Sequence, residues 1–202
     1  MTCWPTLRNR LHVYVLPNQD LRAELQRRQQ ILEAFDYCSV QPGAYLHATV
    51  QQFAVTSDEV NGEQLRAFRE AAARVAATTR PFTIELGAPL ADDWSLGIRG
   101  TATPHWTSLV EAVRAAAAQT VNTGLPLPDA PYGPHITLGY GLADGSTERI
   151  QAASDATNAQ ELPALKVEAI HLVAVHQDPE RGTFTWDQTA SWKFELRPTE
   201  LD

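Results

Sequence analysis

Two short apolar segments of the chain carry the same polar pair, and this repeat constrains the fold more than any other feature. Residues 46–50 read LHATV and residues 134–138 read PHITL, so each segment contains the motif His-x-Thr. Side chains two positions apart in a β-strand point to the same face. His47 therefore shares a face with Thr49, and His135 shares a face with Thr137. Each segment is predicted to be a strand with one apolar face on a core and one polar face directed elsewhere.

The same alternation predicts which side chains of the two strands point into the core. They are Leu46, Ala48, Val50, Ile136, Leu138 and Tyr140. The two histidines lie 88 residues apart, which is too far for one local motif. A spacing near half of the chain length favours two similar lobes, each of which contributes one His-x-Thr.

The size and composition of the chain indicate one bilobal domain over residues 1–202. Its hydrophobic fraction of 44% and charged fraction of 20% are ordinary for a globular protein. Cys3 and Cys38 have no Cys or His neighbours at metal-finger spacing, so we expect two free thiols in a reducing cytosol. The N-terminus lacks a basic region followed by an apolar stretch, and no apolar run has the length of a membrane span. We therefore expect a cytoplasmic monomer that does not contact membranes.

The net charge of −8 argues against a broad surface for duplex nucleic acid. A small phosphate ester or one RNA end remains a suitable partner, because it needs only a local positive field in a cleft. Four basic side chains can supply such a field, although a solvated surface charge is the default interpretation of each. They are Arg10, Arg99, Arg181 and Lys193.

The order of the predicted elements favours an α+β fold with antiparallel sheet over a parallel doubly wound fold. Hairpin-like pairs, such as residues 82–86 with residues 95–99 through a turn at 89–93, are typical of antiparallel sheet. Strands are predicted at 11–16, 45–54, 82–86, 94–98, in the second motif segment at 134–138, and at 167–175, with a return strand at 183–186 or 192–196. Helices are predicted at 20–36, 62–77, 103–121 and 146–158, and a turn-rich loop at 122–134.

The residue types of the two motifs suit phosphodiester chemistry without a metal or another cofactor. Opening a 2′,3′-cyclic phosphate needs a base that activates water and an acid that protonates the leaving oxygen. Histidine has an ordinary pKa of roughly 6.5, so that it serves either purpose near neutral pH, and each such group contributes about 10²–10⁴ in rate. Threonine hydroxyls can donate hydrogen bonds to the non-bridging phosphate oxygens. Neither motif adds a carboxylate or a third histidine nearby, which makes a metal site the minor interpretation.

These motifs and their surroundings resemble the two-histidine (2H) phosphoesterase superfamily, which includes 2′-5′ RNA ligase-like proteins and cyclic phosphodiesterases. Besides the two motifs, residues 10–17 (RLHVYVLP), 81–86 (PFTIEL) and 132–138 (YGPHITL) are similar to family segments, and the likeness covers most of residues 10–176. After the first motif the chain continues as VQQF at 50–53, where relatives often have an apolar run followed by Gly.

The resemblance implies a bilobal fold with pseudo-twofold symmetry, in which two antiparallel sheets are flanked by helices and a cleft between the lobes is the active site. It also implies that His47 and His135 are catalytic and that Thr49 and Thr137 bind phosphate. Which histidine is the acid stays open. The leading hypothesis is a phosphodiesterase acting on the 2′,3′-cyclic phosphate of RNA ends or on small cyclic nucleotides. The alternatives are 2′-5′ ligation of RNA ends and a nucleotide- or RNA-binding module without turnover.

Several further side chains are candidates for contacts with the substrate. Tyr132, beside the second motif, and His176, just before a turn, are predicted to be within reach of it. Other aromatic residues can stack on a base, although each is more often part of a core; they are Tyr45, Phe53, Trp186 and Trp192. His105 and His171 are interpreted as structural. For His12, which lies on the face opposite Val13 and Val15, a surface or hydrogen-bonded position is favoured over a position at the border of the cleft.

Overall fold

The computed structural model describes residues 7–121, 124–157 and 161–195. These residues form nine strands and four α-helices. The strands are β1 (Leu7–Val15), β2 (Ala48–Thr56), β3 (Phe82–Ile84), β4 (Leu86–Ala91), β5 (Ser95–Gly100), β6 (His135–Tyr140), β7 (Leu165–Val167), β8 (Ala169–Asp178) and β9 (Thr183–Lys193). The helices are α1 (Gln19–Gln29), α2 (Gly62–Thr78), α3 (Pro104–Thr120) and α4 (Thr147–Thr157).

Seven of these strands form one antiparallel sheet in the order β4-β5-β6-β2-β1-β8-β9, and β3 pairs with β7 in a second, two-stranded sheet. The predicted α+β class with antiparallel sheets and flanking helices is confirmed. The halves of the chain meet where β2 lies beside β6, with Ala48 opposite Ile136. The two His-x-Thr strands are therefore neighbours within the large sheet.

Local sequence signals set the starts of the helices. The Asn18 side chain accepts a hydrogen bond from the Leu21 N–H and caps α1. The Thr103 hydroxyl accepts from the Trp106 N–H, and Pro104 occupies the first turn of α3. Both caps satisfy backbone donors that the first turn of a helix otherwise leaves unpaired.

The main core lies between the helices and one face of the large sheet. Strand β1 contributes Leu11, Val13 and Val15 to it, and the helices contribute Leu21, Phe68 and other apolar side chains. Burial of each such side chain stabilises the fold by about 1.5–3 kcal/mol. A smaller cluster, made of Tyr14, Val173, Val175 and Trp186, is separate from this core. Tyr14 alternates in β1 with the core residues, so this cluster covers the face that the helices leave open.

The predicted pairing of residues 82–86 with residues 95–99 is wrong. Strand β3 pairs with β7, whereas β4 is the partner of β5. Pro89, assigned to a turn, lies within β4 opposite Ile98. Because β4 is an edge strand, a residue without a backbone N–H is tolerated there. The β3–β7 pair joins residues 81 to 85 positions apart in the chain, which local patterns do not reveal.

The return strand β9 runs without interruption from Thr183 to Lys193, where the sequence left two shorter alternatives open. Cys38 is a free thiol, whereas Cys3 lies outside the described residues. The same holds for residues 122–123 of the predicted loop, residue 158 of the last predicted helix and residue 196 of one predicted return strand. No helix among the described residues is both long enough and apolar enough to cross a bilayer.

Candidate active site

The two His-x-Thr strands place their four polar side chains around one small cavity. The Ala48–Ile136 pair joins the middle residues of both motifs, and both side chains are buried in the core. The flanking histidines and threonines consequently lie on the opposite face of the sheet. There they line a cavity of about 90 Å³. Its full lining is His12, Tyr14, His47, Thr49, Gln52, His135, Thr137, Tyr140 and Phe184.

Each motif histidine is held by a carbonyl group two residues before it. His47 Nδ1 lies 2.9 Å from the Tyr45 oxygen, and His135 Nδ1 lies 3.0 Å from the Gly133 oxygen. A carbonyl oxygen can only accept a hydrogen bond, so Nδ1 must carry the proton in both rings. Nε2 is then the nitrogen that remains for chemistry in each histidine, as an acceptor when the ring is neutral and as a donor when it is charged.

His47 is enclosed by aromatic rings. Tyr14 stacks on it with centroids 3.9 Å apart and planes inclined by 19°, and Trp186 presents its edge at 5.0 Å. Burial lowers the pKa of His47 to about 4; the hydrogen bond to Tyr45 opposes this shift, and the nearby His135 adds to it. His47 is therefore neutral in the unliganded protein at neutral pH.

His135 has an aromatic neighbour at the protein surface. Tyr132 stacks on its ring with centroids 4.6 Å apart and planes inclined by 14°. The Tyr132 side chain is 72% exposed, and the Arg99 guanidinium lies 5.3 Å from the centre of its ring. The structure thus brings the predicted substrate contact Tyr132 and one of the four basic candidates, Arg99, to the second motif.

Tyr140 lies on the cavity face, and the prediction that it points into the core is wrong. The pairing of β5 with β6 shifts between Leu96–Gly139 and Gly97–Thr137, so β6 contains a bulge after Thr137. The extra residue returns Tyr140 to the face of Thr137. Burial raises the pKa of Tyr140 to about 12, against the effect of its side-chain hydrogen bond with Thr137. The phenol is therefore protonated.

A matching bulge follows the first motif. Tyr14 pairs with Thr49, but Val13 pairs with Gln51 and His12 with Gln52, so β2 also gains one residue after its threonine. Gln52 thereby joins the cavity. Each strand contributes the positions i, i+2 and i+5 to the site. Simple alternation predicts only the first two of these positions.

Other candidate residues lie elsewhere. His176 does not line the cavity; its Nε2 lies 3.3 Å from Asp187, and it borders a separate groove with Arg8 and Glu180. His105 stacks on Phe82, and Phe53 packs in the core. Further candidates sit in other surroundings: His171 and Lys193 line another cavity, Trp192 packs against the main core, and Arg181 pairs with Asp178. Within the described ranges, no three His, Cys, Asp or Glu side chains converge as metal ligands would.

Sequence reasoning ranked a cleft position of His12 below a surface or hydrogen-bonded one, but His12 is only 4% exposed and lines the cavity. Its ring nitrogen Nδ1 lies 2.7 Å from the Tyr14 hydroxyl. The available signal was the alternation of β1, because His12 and Tyr14 fall between Leu11, Val13 and Val15 on the opposite face. The pairing of β1 with β2, which brings His12 to the cavity, cannot be read from the sequence.

Two His-x-Thr strands that lie around one cavity in an antiparallel sheet place this chain in the class of two-histidine proteins. Comparisons with known proteins support this class. A family model for the 2′-5′ RNA ligase superfamily matches residues 17–179. The chain belongs to this superfamily, and the predicted resemblance is confirmed. A search of curated proteins finds no match.

Solved structures share the fold at low sequence identity. The protein TT0787 of Thermus thermophilus is 20% identical, with a TM-score of 0.70 over 92% of this chain and 97% of its own. Escherichia coli LigT in complex with 3′-AMP is 16% identical, with a TM-score of 0.61 over 94% of this chain and 99% of its own. A crystal structure described as a phosphoesterase is 18% identical, with a TM-score of 0.60 over 93% and 99%.

Proposed function

We propose that this protein is a metal-independent phosphoesterase that hydrolyses the 2′,3′-cyclic phosphate of an RNA end or of a small nucleotide. The observation that carries the proposal is the convergence of both His-x-Thr motifs on one cavity. Both histidines are oriented alike through Nδ1, so that each offers Nε2 as an acid or a base. Two such groups are what in-line displacement at phosphorus requires.

In the proposed reaction His47 is the base, because its lowered pKa of about 4 keeps it neutral. Its Nε2 takes a proton from water while the water oxygen forms a bond to phosphorus. The bond from phosphorus to one ribose oxygen breaks, and protonated His135 gives its Nε2 proton to that oxygen. The product is a phosphomonoester, and proton exchange with solvent restores both histidines.

The threonines and the size of the cavity fit a phosphate group. Thr49 and Thr137 each have a hydroxyl that can donate to a non-bridging oxygen, and loss of one such donor typically costs about 10²–10³ in rate. A cavity of about 90 Å³ is too small for a whole nucleotide, since pockets for drug-sized ligands measure roughly 300–1,000 Å³. The nucleoside then lies outside, where exposed Tyr132 offers a surface for stacking worth about 1–3 kcal/mol.

The ligands of one structural relative support a nucleotide or phosphate ligand for this chain. Escherichia coli LigT has been crystallised with 3′-AMP, with ATP, with NADP+ and with phosphate. We extend this ligand class to the present protein because it shares that fold and has its own paired motifs at the cavity.

Turnover of adenosine 2′,3′-cyclic phosphate by His47→Ala and His135→Ala tests the proposal. We expect each variant to remain folded and to lose about 10²–10⁴ in kcat, the usual contribution of one acid or base. His105→Ala on α3 is the control and should retain activity. Wild-type activity should survive EDTA; loss in EDTA with recovery on added metal would contradict the metal-free mechanism.

Ligation is the second candidate, because the superfamily takes its name from 2′-5′ RNA ligases. The same groups serve if a ribose hydroxyl replaces water as the nucleophile. Incubation of an RNA ending in a 2′,3′-cyclic phosphate with an RNA bearing a free 5′-hydroxyl separates the two reactions. A joined product indicates ligation, and a linear phosphate end indicates hydrolysis.

A further inference from the structure

A third histidine lines the cavity and is not used by the two-motif mechanism. His12 comes from β1, pairs across the sheet with Gln52 and is nearly inaccessible to solvent. Its ring lies edge-on to Tyr14, at 5.3 Å between centroids. Because His12 shares the cavity with both motifs, the position of its proton decides what it can offer a ligand.

The hydrogen bond between His12 and Tyr14 fixes that proton. The Tyr14 side chain is 1% exposed, and within the described residues its hydroxyl has only His12 Nδ1, at 2.7 Å, as a partner. If Nδ1 donated to Tyr14, the buried phenolic proton would have no acceptor, and an unsatisfied buried donor is strongly disfavoured. The satisfied arrangement has the Tyr14 O–H donating to Nδ1. His12 then carries its own proton on Nε2, the reverse of His47 and His135.

The surroundings keep His12 uncharged. Burial lowers its pKa to about 3, and the nearby His47 and Arg10 act in the same direction. Burial likewise holds the pKa of Tyr14 well above its ordinary value, so its hydroxyl keeps the proton that it donates. Among the described residues, His12 Nε2 has no hydrogen-bond partner, yet this nitrogen is not completely buried. It therefore has access to the cavity.

We propose that His12 binds the ligand directly, by donating its Nε2–H to a phosphate oxygen in the cavity. The inference rests on the proposed function in one respect, namely that the cavity receives a phosphate group. The threonine hydroxyls can donate or accept, whereas a neutral imidazole locked in this tautomer offers only a donor at Nε2. His12 thus favours an ionised oxygen over a protonated one without adding a charge that would compete with the acid and the base.

The binding test uses inorganic phosphate and 3′-AMP as probes, measured by calorimetry on the full chain. Since a hydrogen bond to a charged group is involved, His12→Leu in a Tyr14→Phe background should weaken both by roughly 10- to 100-fold. The Tyr14→Phe change removes the hydroxyl that His12→Leu would otherwise leave without a hydrogen-bond partner. His12→Gln, which retains an N–H donor at similar reach, should recover most of the affinity, and His105→Leu should change nothing.

NMR reads out both the tautomer and the ligand contact, and a response of the Nε2 signal to phosphate is what a purely structural role of His12 does not require. In ¹⁵N NMR of the unliganded protein, His12 should show a protonated Nε2 and an unprotonated Nδ1, and its Nε2 signal should move on addition of phosphate. Protonation at Nδ1, or affinity within twofold of the Tyr14→Phe parent in the double variant, overturns the inference. Wild-type binding without turnover would instead overturn the proposed function and leave the inference intact.

Discussion

At the scale of single residues, the environment of His47 determines when the proposed base is available. Trp186 and Tyr14 exclude water from its ring, and this burial is the main cause of its lowered pKa. Replacing Trp186 by Leu admits water on one side, so the pKa of His47 should rise from about 4 towards the ordinary value of about 6.5.

The pH dependence of kcat/KM measures this change. The acid limb of the profile marks the pH below which the base is protonated and inactive. In the wild type it should lie well under pH 6. In Trp186→Leu it should move to higher pH, so that the activity at pH 5 relative to the maximum falls. Trp192→Leu is the matched control, because Trp192 lies in the same strand but packs against the main core. An acid limb that stays in place or moves downward would show that burial by Trp186 does not set this pKa.

The four motif residues can be predicted from the sequence more reliably than the residues that surround them in space. His47, Thr49, His135 and Thr137 are each identified by a two-residue period that holds within one strand. His12 and Trp186 reach the same region through strand pairings between distant segments. Such pairings depend on how the whole chain packs, so no local pattern marks these two residues as members of the site.

At the scale of elements, the bulge in β6 connects the backbone to the site. Two residues that precede β2 in the chain form backbone hydrogen bonds with β6. The Ser39 N–H donates to the Tyr140 oxygen at 2.7 Å, and the Gln41 N–H donates to the Leu138 oxygen at 2.9 Å. Gly139 lies between these bonds, directly against the Ser39 carbonyl oxygen, where a Cβ atom would overlap it. The absence of a side chain at Gly139 lets the segment approach and lets Tyr140 turn towards the cavity.

Gly139→Ala should therefore damage both stability and activity. The overlap with backbone must push β6 away from Ser39, at a cost of about 1–3 kcal/mol in the free energy of unfolding. Thr137 and Tyr140 should move with the strand, so kcat/KM should fall as well. Urea unfolding and turnover of a cyclic phosphate measure the two effects.

Gly62→Ala is the control, because a Cβ atom at this first position of α2 meets no atom within 4 Å. Its stability should be unchanged or slightly higher, since alanine is favoured over glycine in helices by up to about 1 kcal/mol. If Gly139→Ala behaved like this control, the close packing against Ser39 would not be what shapes the bulge.

The bulges also explain where element-level prediction fails. Capping residues such as Asn18 and Thr103 can be recognised in the sequence, because a capping side chain acts on its own helix. A bulge, in contrast, depends on the register of two strands, and it inverts every face assignment after it. Tyr140 was misassigned for this reason, and Gln52 was not recognised as a cavity residue.

At the scale of the whole molecule, the residues that stabilise the fold and the residues of the candidate site lie on opposite faces of the large sheet. The helices and the main core occupy one face, and the other face carries imidazoles and hydroxyls around a small cavity. This arrangement buries polar groups such as His12 that the core alone would not require. Their burial makes folding depend on their protonation, so the site should influence the stability of the entire chain.

Stability should decrease as the pH falls from neutrality. The pKa values of His12 and His47 are lowered to about 3 and about 4, whereas both histidines have a pKa near 6.5 in the unfolded chain. Below about pH 6.5 the unfolded state binds protons that the native state does not, and the free energy of unfolding drops by up to about 1.4 kcal/mol per pH unit for each histidine. The loss continues until the pH reaches the folded-state values.

Urea unfolding between pH 7 and pH 5 isolates this effect, because carboxyl groups titrate mainly below that range. The double variant His12→Gln/His47→Gln lacks both groups, so its free energy of unfolding should change less with pH than that of the wild type. His105→Gln should retain the wild-type slope. Parallel curves for the wild type and the double variant would mean that the two histidines are not held neutral by the fold, which would also remove the basis for assigning His47 as the base.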